Sequence, residues 1–256
     1  MFDLSRETPN NGIIALWEVF RYRLLLTNVD TTTELLVHRS YDFVKPSNIR
    51  HFMTRMVGSG LVVLEGDRHK ALRKDSLQAF APRQVQRLYP SMWDKAMILV
   101  GEIEKELNRH SESNTGREPG IVEMANWAYK ATADIIGITV LGLGDHDSLR
   151  SPDSPLMRSF KIAIGPGLRF YRILAVWLSF EFVEKLPWKK NGEFKESTET
   201  MKSICRQIVY ETKQTLKVKG DDNEEASSKI LANLIRTEEF SDTELADQLL
   251  TYLIAG

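Results

Sequence analysis

The sequence predicts a mainly α-helical fold with a small β region. Apolar residues recur at three- and four-residue spacings along most of the 256-residue chain, which is the periodicity of helices with one buried face. Near the beginning the apolar residues alternate with polar ones instead, and Tyr22, Leu24 and Leu26 predict a short strand. The chain has no internal repeat and no long Gly, Ser or Pro tract, so we expect residues 1–256 to form a single domain.

The predicted elements follow from caps, prolines and apolar stripes. Helices are predicted, in order, over Thr31–Arg39, Asp67–Phe80, Pro82–Leu88, Met92–Leu107, Val122–Leu141 and Glu193–Lys217. Loops are predicted over Tyr41–Ser59, which includes one short helix, and over His110–Gly120 and Asp145–Pro155. Ser241 and Glu244 form the capping-box pattern that opens a final apolar helix.

The composition excludes several classes of function. Lys and Arg number 34 against 35 Asp and Glu, and this balance argues against a protein that coats nucleic acid or anionic membrane. The single cysteine, Cys205, excludes an intramolecular disulfide and any multi-cysteine metal site. Its helical setting predicts a core cysteine, and the alternative, a catalytic thiol, has no histidine motif to support it. The other histidines, His38, His51, His110 and His146, share no metal-ligand spacing, so we expect surface or loop positions for them and assign no metal ligand.

The densest cluster of basic residues is Arg68–Lys74, which follows the potential cap Asp67. His69 and Arg73 are four residues apart, so on a helix they lie on one face and suit a carboxylate or a phosphate. The spacing alone favours the alternative, a solvated basic helix face. A nucleic-acid contact through the same cluster is the remaining reading, and the neutral composition disfavours it.

An aromatic stretch, Phe170–Trp188, combines bulky apolar residues with flanking cations. This composition is typical either of a buried segment or of a peripheral contact with a membrane interface. Residues 1–11 carry no apolar segment of the kind found in secretion signals, and no apolar run approaches the roughly 20 residues that span a bilayer. We therefore expect no transmembrane anchor.

Five segments, taken in sequence order, carry a resemblance to a known family. Glu65–Lys74 followed by Gln78–Pro82 is similar to the C-helix signature of the cytochrome P450 superfamily, the haem-thiolate monooxygenases, and the resemblance is strongest to its fungal members. The other segments are Ser40–Pro46, similar to the B-helix exit, Leu88–Trp93, similar to the D-helix start, Asn126–Gly137, similar to helix E, and Phe240–Gly256, similar to the lead-in to helix I.

The resemblance implies an incomplete cytochrome P450 fold that runs from about helix A to the start of helix I. It implies that His69 and Arg73 hold the propionates of haem b, as charge-assisted donors must do for carboxylates in an apolar cavity. It further implies a small lipophilic substrate, an NADPH-dependent reductase as partner, and a fungal secondary-metabolite or xenobiotic pathway. The implied location is cytoplasmic or peripheral to the endoplasmic reticulum.

Three departures from the family pattern concern the chemistry. The family's Phe-x-x-Gly-x-x-x-Cys-x-Gly loop, which carries the iron ligand, does not occur, and Cys205 does not match it. The helix-I motif begins at Ala255 and Gly256 without its acid and threonine, and Glu-x-x-Arg occurs only upstream of its family position. The family's usual N-terminal anchor is also missing. We therefore expect a truncated, inactive family member that lacks the haem-ligand half, has no catalytic residues and does not bind haem stably on its own.

The alternative is a non-catalytic helical binding or scaffold protein that pairs with a complete homologue. In either case the final helix would lack a covering partner. We therefore expect an apolar patch, which the chain would expose at Leu249, Leu250, Leu253 and Ile254.

Overall fold

The computed structural model describes residues 7–18, 21–113, 121–143, 155–164, 173–174, 180–219 and 230–255. Its contacts divide the chain into two compact units, Met1–Pro46 and Ser47–Gly256. The single domain expected from the sequence stays a prediction. Most of the predicted loop Asp145–Pro155 and of the aromatic stretch lies outside the described residues.

The first unit contains an antiparallel pair of strands, β1 (Ile13–Glu18) and β2 (Arg21–Leu26), with Ile13 opposite Leu26. Strand β2 confirms the predicted strand. The sequence did not reveal β1, because its run of five apolar residues shows no alternation.

A short helix follows the strands in the first unit. Helix α1 (Val29–Thr33) begins after Asn28, whose side chain accepts a 2.9 Å hydrogen bond from the backbone of Thr31. A π-helical turn, Glu34–His38, continues it where a regular helix had been predicted.

The described residues of the second unit form helices and connecting loops, with no strand among them. Its helices are α2 (Ser47–Val57), α3 (Gly66–Ala79), α4 (Pro82–Ser113), α5 (Met124–Thr139), α6 (Pro155–Ile164), α7 (Phe180–Glu184), α8 (Lys189–Lys219), α9 (Ile230–Arg236) and α10 (Asp242–Ala255). The mainly helical fold with a small sheet is confirmed.

Helix α4 differs from the prediction because it runs unbroken through Pro90, where two separate helices had been expected. A proline inside a helix removes one backbone hydrogen bond. Leu88 and Met92, on either side of Pro90, pack into the same core, and this packing holds the helix together across the proline.

The main core lies where α8 packs against α10. Buried residues of α8, among them Met201, Cys205 and Ile208, belong to one hydrophobic cluster with buried leucines of α10. The expected apolar patch on α10 was wrong, because Leu249 and Leu250 are fully buried, Leu253 is nearly so and Ile254 is partly covered. The capping box is confirmed, since the Ser241 backbone donates to Glu244 Oε2 at 3.0 Å.

Candidate functional site

Helix α3 places His69 and Arg73 on one face, as predicted. His69 is half-buried and Arg73 is exposed. The helix begins at Gly66, which has a φ of 61°, and Glu65 occupies the cap position. Asp67, the expected cap, therefore lies in the first turn, where its charge still favours the helix dipole.

The other cations of α3 are already engaged. Arg68 forms an ion pair with Glu244 of α10, and Lys70 pairs with Asp67 at 3.2 Å. Arg73 forms no ion pair or hydrogen bond with any residue in the described part of the chain. The planar fork of Arg73 is therefore available for an external carboxylate or phosphate. The role of His69 and Arg73 as haem-propionate donors stays a prediction.

The same face of α3 continues toward α10 through two further residues. Ser76 is buried, and Phe80, just after the helix, meets Tyr252 of α10 in an edge-to-face contact with ring centroids 5.0 Å apart. The Ser76 Oγ and Tyr252 Oη atoms are both buried at this contact. Burial raises the pKa of Tyr252, and a side-chain hydrogen bond with Ser76 opposes that rise. This contact was not predicted from the sequence, although Ser76 is a polar residue in the helical stripe of His69 and Arg73.

A glycine-rich loop, residues 58–61, lies directly against α10. The backbone N–H of Ser59 donates to Asp247 Oδ2 at 2.6 Å, and that of Leu61 donates to Gln248 Oε1 at 3.3 Å. A Cβ atom on Gly60 would lie 2.0 Å from Thr251 Oγ1, so this approach requires glycine. The predicted loop Tyr41–Ser59 covers only the first half of this segment, and its contact with α10 was not predicted, because backbone contacts to a distant helix leave no local pattern.

Asp247 is the most buried carboxylate at the contact between loop 58–61 and α10, with 9% of its surface exposed. Burial raises its pKa, and the hydrogen bond from Ser59 and the charge of Lys202 oppose the rise. Burial also lowers the pKa of Lys202, whose Nζ donates to the backbone carbonyl of Arg55 at 3.1 Å. The arrangement holds loop 58–61, α2, α8 and α10 together and is a structural junction.

Cys205 lies inside the core of α8, as predicted. Its side chain is fully buried, and burial, with a smaller effect of Asp247, raises the pKa of the thiol to about 12. A thiol in this environment stays protonated at neutral pH and does not offer a thiolate to a metal.

A second charged cluster joins α2 to α7. Arg55 pairs with Glu184 at 2.5 Å, and the two ring nitrogens of His51 lie 3.9 Å from Glu181 and 3.6 Å from Glu184. His51 lies within α2, in the segment where one short helix was expected, and 36% of its side-chain surface is exposed. The tilted contact of its ring with Phe180 shows that this cluster borders an aromatic part of the core.

The described end of the aromatic stretch is divided between buried and exposed side chains, and the expected membrane contact stays a prediction. Phe180 is fully buried against Phe52 and Phe194, whereas Phe182 and Trp188 are exposed. In the residues that the structure describes, no helix has the length and apolar character needed to cross a bilayer. The same residues contain no cluster of three or more His, Cys, Asp or Glu suited to a metal ion.

Known proteins match this sequence and this fold. The sequence model of the family described as Cytochrome P450 matches residues 4–256. The chain is 30% identical to cytochrome P450 monooxygenase FSL4 of Gibberella zeae, over 99% of this chain and 46% of that protein. It is 32% identical to cytochrome P450 monooxygenase ptmK of Penicillium ochrochloron, over 99% of this chain and 49% of that protein.

A solved structure shows the same fold. The crystal structure of the cytochrome P450DA heme domain superposes with a TM-score of 0.72 at 18% identity, over 100% of this chain and 51% of that chain. The chain spans about half the length of the curated relatives it matches. Because the family match covers nearly every residue, the chain belongs to the cytochrome P450 family, with fungal monooxygenases among its relatives.

Proposed function

We propose that residues 1–256 supply the carboxylate-binding side of a haem-dependent, O2-using monooxygenase, and that this chain alone does not catalyse monooxygenation. The observation that carries the proposal is the contrast between two groups. Arg73 is exposed and available to an anion, whereas the thiol of Cys205 is buried and held protonated.

The donor chemistry of α3 fits the carboxylate edge of a haem. An imidazole at His69 and a guanidinium at Arg73, one turn apart, can direct donors to the same carboxylate. The neighbouring Arg68 is neutralised by Glu244, so the positive charge directed at an incoming anion comes chiefly from Arg73. His69 and Arg73 would therefore hold and orient the propionates.

The iron-ligand side does not fit this chain. Haem with a cysteinate ligand supplies the oxygen-activating centre in this family, because the thiolate donates electron density that favours O–O cleavage. Cys205 is the only cysteine of the sequence, and its core position keeps it from reaching a group held by α3. The buried position of Cys205 supports the proposed inactivity of the isolated chain.

The substrate, partners and pathway follow from the family. We assign a small lipophilic substrate and an NADPH-dependent reductase to the complete enzyme, in a fungal secondary-metabolite or xenobiotic pathway. The relatives named as monooxygenases come from fungi and support this assignment. Haem bound by α3 alone would be held weakly, because one edge of the group provides only part of its binding energy.

Reconstitution with haem tests the proposal. The purified chain is mixed with haem, reduced and exposed to carbon monoxide, and we expect no Soret band of the thiolate-ligated type and no substrate oxidation with a reductase present. The Arg73→Gln variant should bind haem more weakly than the wild-type chain. A thiolate-type band together with turnover would overturn the proposed inactivity, and unchanged haem affinity in Arg73→Gln would overturn the assigned site.

A second candidate function is a non-catalytic binding role in which the chain pairs with a complete homologue. An exposed apolar stripe on α4 favours it: Tyr89, Trp93, Met97 and Val100 are 57%, 68%, 53% and 48% exposed and recur on one helical face. Apolar patches of this kind mark contacts with other proteins. Co-expression with a full-length relative tests this role, and we expect co-purification that Trp93→Gln abolishes; absence of a complex would refute it.

A further inference from the structure

A cavity of about 180 Å³ lies between helices α5, α8 and α9, and the proposed function does not use it. Its apolar lining includes Leu141 just after α5, Ile208 of α8, and Leu231 and Ala232 of α9. These four residues are at most 5% exposed, so they form a preformed apolar surface. Apolar cavities of about 150 Å³ bind molecules the size of benzene. The volume therefore suits a small ligand with an aromatic or short aliphatic body.

One carboxylate lies on this cavity, and no cation of the described chain neutralises it. Glu211 of α8 is exposed, and its Oε1 atom accepts a 2.8 Å hydrogen bond from the neutral side-chain amide of Gln207. Glu211 forms no ion pair with any residue that the structure describes. By comparison, Lys213, two positions along α8, is paired with Asp242 of α10. The negative charge of Glu211 is therefore available to a cation that enters the cavity.

Two threonines in the lining also act as hydrogen-bond acceptors. The hydroxyl of Thr212 donates its proton to the Ile208 carbonyl at 2.8 Å, and that of Thr215 donates to the Glu211 carbonyl at 2.9 Å. A hydroxyl that has given its proton to the backbone retains lone pairs, so each threonine can still accept a hydrogen bond. An ammonium group has several N–H donors and no acceptor, and it matches this set of acceptors.

The ends of two helices also act on a charge in the cavity. Helix α5 ends at Thr139, and Gly142, which lies in the lining, has a φ of 68°, as is typical of the residues that follow a helix. The C-terminus of α5 carries a partial negative charge, which favours a cation. The first turn of α9, which begins at Ile230, has the opposite effect. Each partial charge is about half an elementary charge, so the full charge of Glu211 decides the preference.

We propose that this cavity binds a small organic ammonium ion, with the apolar body of the ligand against Leu141, Ile208 and Leu231 and its nitrogen at Glu211. The site recognises primary amines that carry an aromatic or short alkyl group. A neutral molecule of the same shape gains the apolar contacts but not the charge-assisted hydrogen bond, and an anion is repelled by Glu211. These residues lie outside α3, so ammonium binding is independent of the proposed haem site.

Calorimetric titration of the full chain with three small ligands tests the site. Benzylamine, benzyl alcohol and benzoate share one aromatic ring, and at neutral pH they carry a positive charge, no charge and a negative charge. We expect benzylamine to bind about tenfold more tightly than benzyl alcohol, and benzoate to show no saturable binding. Equal affinity for the amine and the alcohol would overturn the proposal, and so would the absence of benzylamine binding.

Glu211→Gln removes the charge and keeps the shape of the side chain. We expect this variant to bind benzylamine about as weakly as benzyl alcohol, whose own affinity should not change. The matched control is Glu104→Gln, which removes the charge of an exposed glutamate of α4. Trp127, near the start of α5, donates to Glu106 at 2.6 Å, so this part of α4 lies at the other end of α5 from the cavity. An equal loss of benzylamine affinity in both variants would reveal a nonspecific charge effect and overturn the site.

Filling the cavity tests where the ligand binds. Ala232→Leu places a larger side chain in the lining and should weaken the binding of benzylamine and benzyl alcohol alike by about tenfold, since both use the apolar surface. Leu216→Trp, at a half-buried position of the lining, supplies the same test if the buried substitution prevents folding. Unchanged benzylamine affinity in a folded variant with a filled cavity would place the ligand elsewhere and overturn the proposal.

Discussion

Asp247 Oδ2 accepts a 2.6 Å hydrogen bond from the backbone N–H of Ser59, and this contact fixes loop 58–61 on helix α10. The loop precedes α3 in the chain, and α10 faces the side of α3 that carries Ser76 and Phe80. The position of the candidate site therefore depends on a contact between two segments that are distant in sequence.

Gly60→Ala should destabilise the chain by about 1–3 kcal/mol, because its Cβ atom would lie 2.0 Å from Thr251 Oγ1 and 2.7 Å from the Asp247 carbonyl oxygen. Urea denaturation measures the change. The control is Gly101→Ala in α4, where nothing lies within 4 Å of the added atom, and the better helix propensity should stabilise by about 0.5–1 kcal/mol. Equal stability of the two variants would contradict the close packing of the loop.

Asp247→Asn should change how stability depends on pH. Burial raises the pKa of Asp247 above its ordinary 3.8, so the folded chain binds this proton more tightly than the unfolded chain. The stabilisation from this group is complete below about pH 4 and is lost as the pH rises through the raised pKa. The asparagine keeps an acceptor for Ser59 and has no proton to lose.

Unfolding free energies of the wild type and Asp247→Asn at pH 4 and pH 7 provide the measurement. We expect the variant to gain stability relative to the wild type as the pH rises over this interval. A difference between the two proteins that stays constant with pH would show that the carboxyl group is not perturbed.

Glu244→Gln should change the pH dependence of stability in the direction opposite to that expected for Asp247→Asn. A hydrogen bond from the Ser241 backbone, opposed by burial and reinforced by Arg68, lowers the pKa of Glu244 below its ordinary 4.5. Its stabilisation is therefore present above about pH 4.5 and is lost as the pH falls through the lowered pKa. Because both partners are partly exposed, the variant should cost only about 0.5–1 kcal/mol at pH 7 and less at pH 3, by chemical denaturation.

Lys70→Gln is the matched control for this ion pair, because Lys70 and Asp67 form an exposed pair on the same helix. We expect no measurable change in its unfolding free energy at either pH. A loss of unfolding free energy as large as that of Glu244→Gln would mean that the ion pair between Arg68 and Glu244 stabilises the fold no more than an exposed pair within one helix does.

Cys205 should resist thiol reagents in the folded chain. Its pKa of about 12 and complete burial leave almost no thiolate and no access at pH 8. Labelling with a disulfide reagent should therefore proceed only as fast as the core opens, and it should become immediate in concentrated urea. Rapid stoichiometric labelling of the native chain would place this cysteine outside the core.

The apolar stripe of α4 should bind a hydrophobic dye. We expect Trp93→Gln and Met97→Gln to reduce the fluorescence of bound anilinonaphthalene sulfonate by roughly half, since the largest exposed groups of the stripe are removed. Val218→Gln removes an isolated exposed residue of α8 and should leave the signal unchanged. Equal signals in all three variants would mean that the dye binds elsewhere.

Local signals were sufficient for several elements of the fold. The boundaries of α3 followed from Asp67 and the apolar pattern up to Phe80, and the start of α10 followed from Ser241 and Glu244. These signals are caps and periodicities within a few residues, which act whatever the rest of the chain does. The family resemblance supplied the larger arrangement, which such patterns do not contain.

Features set by distant contacts could not be predicted in the same way. The burial of Leu249 and Leu250 depends on α8 packing across α10, and the continuity of α4 across Pro90 depends on the core on its inner side. At the candidate site the pair His69 and Arg73 came from spacing and resemblance. Ser76 and Tyr252 emerged only when α10 was seen against α3.

The hydrogen bond between Ser59 and Asp247 joins residues 188 positions apart, and this separation has a consequence for biosynthesis. The early helices cannot reach their final packing until the ribosome has translated α10. Long-range closure of this kind slows folding and leaves apolar surfaces uncovered in the nascent chain. Production of this protein should therefore benefit from slow translation and abundant chaperones.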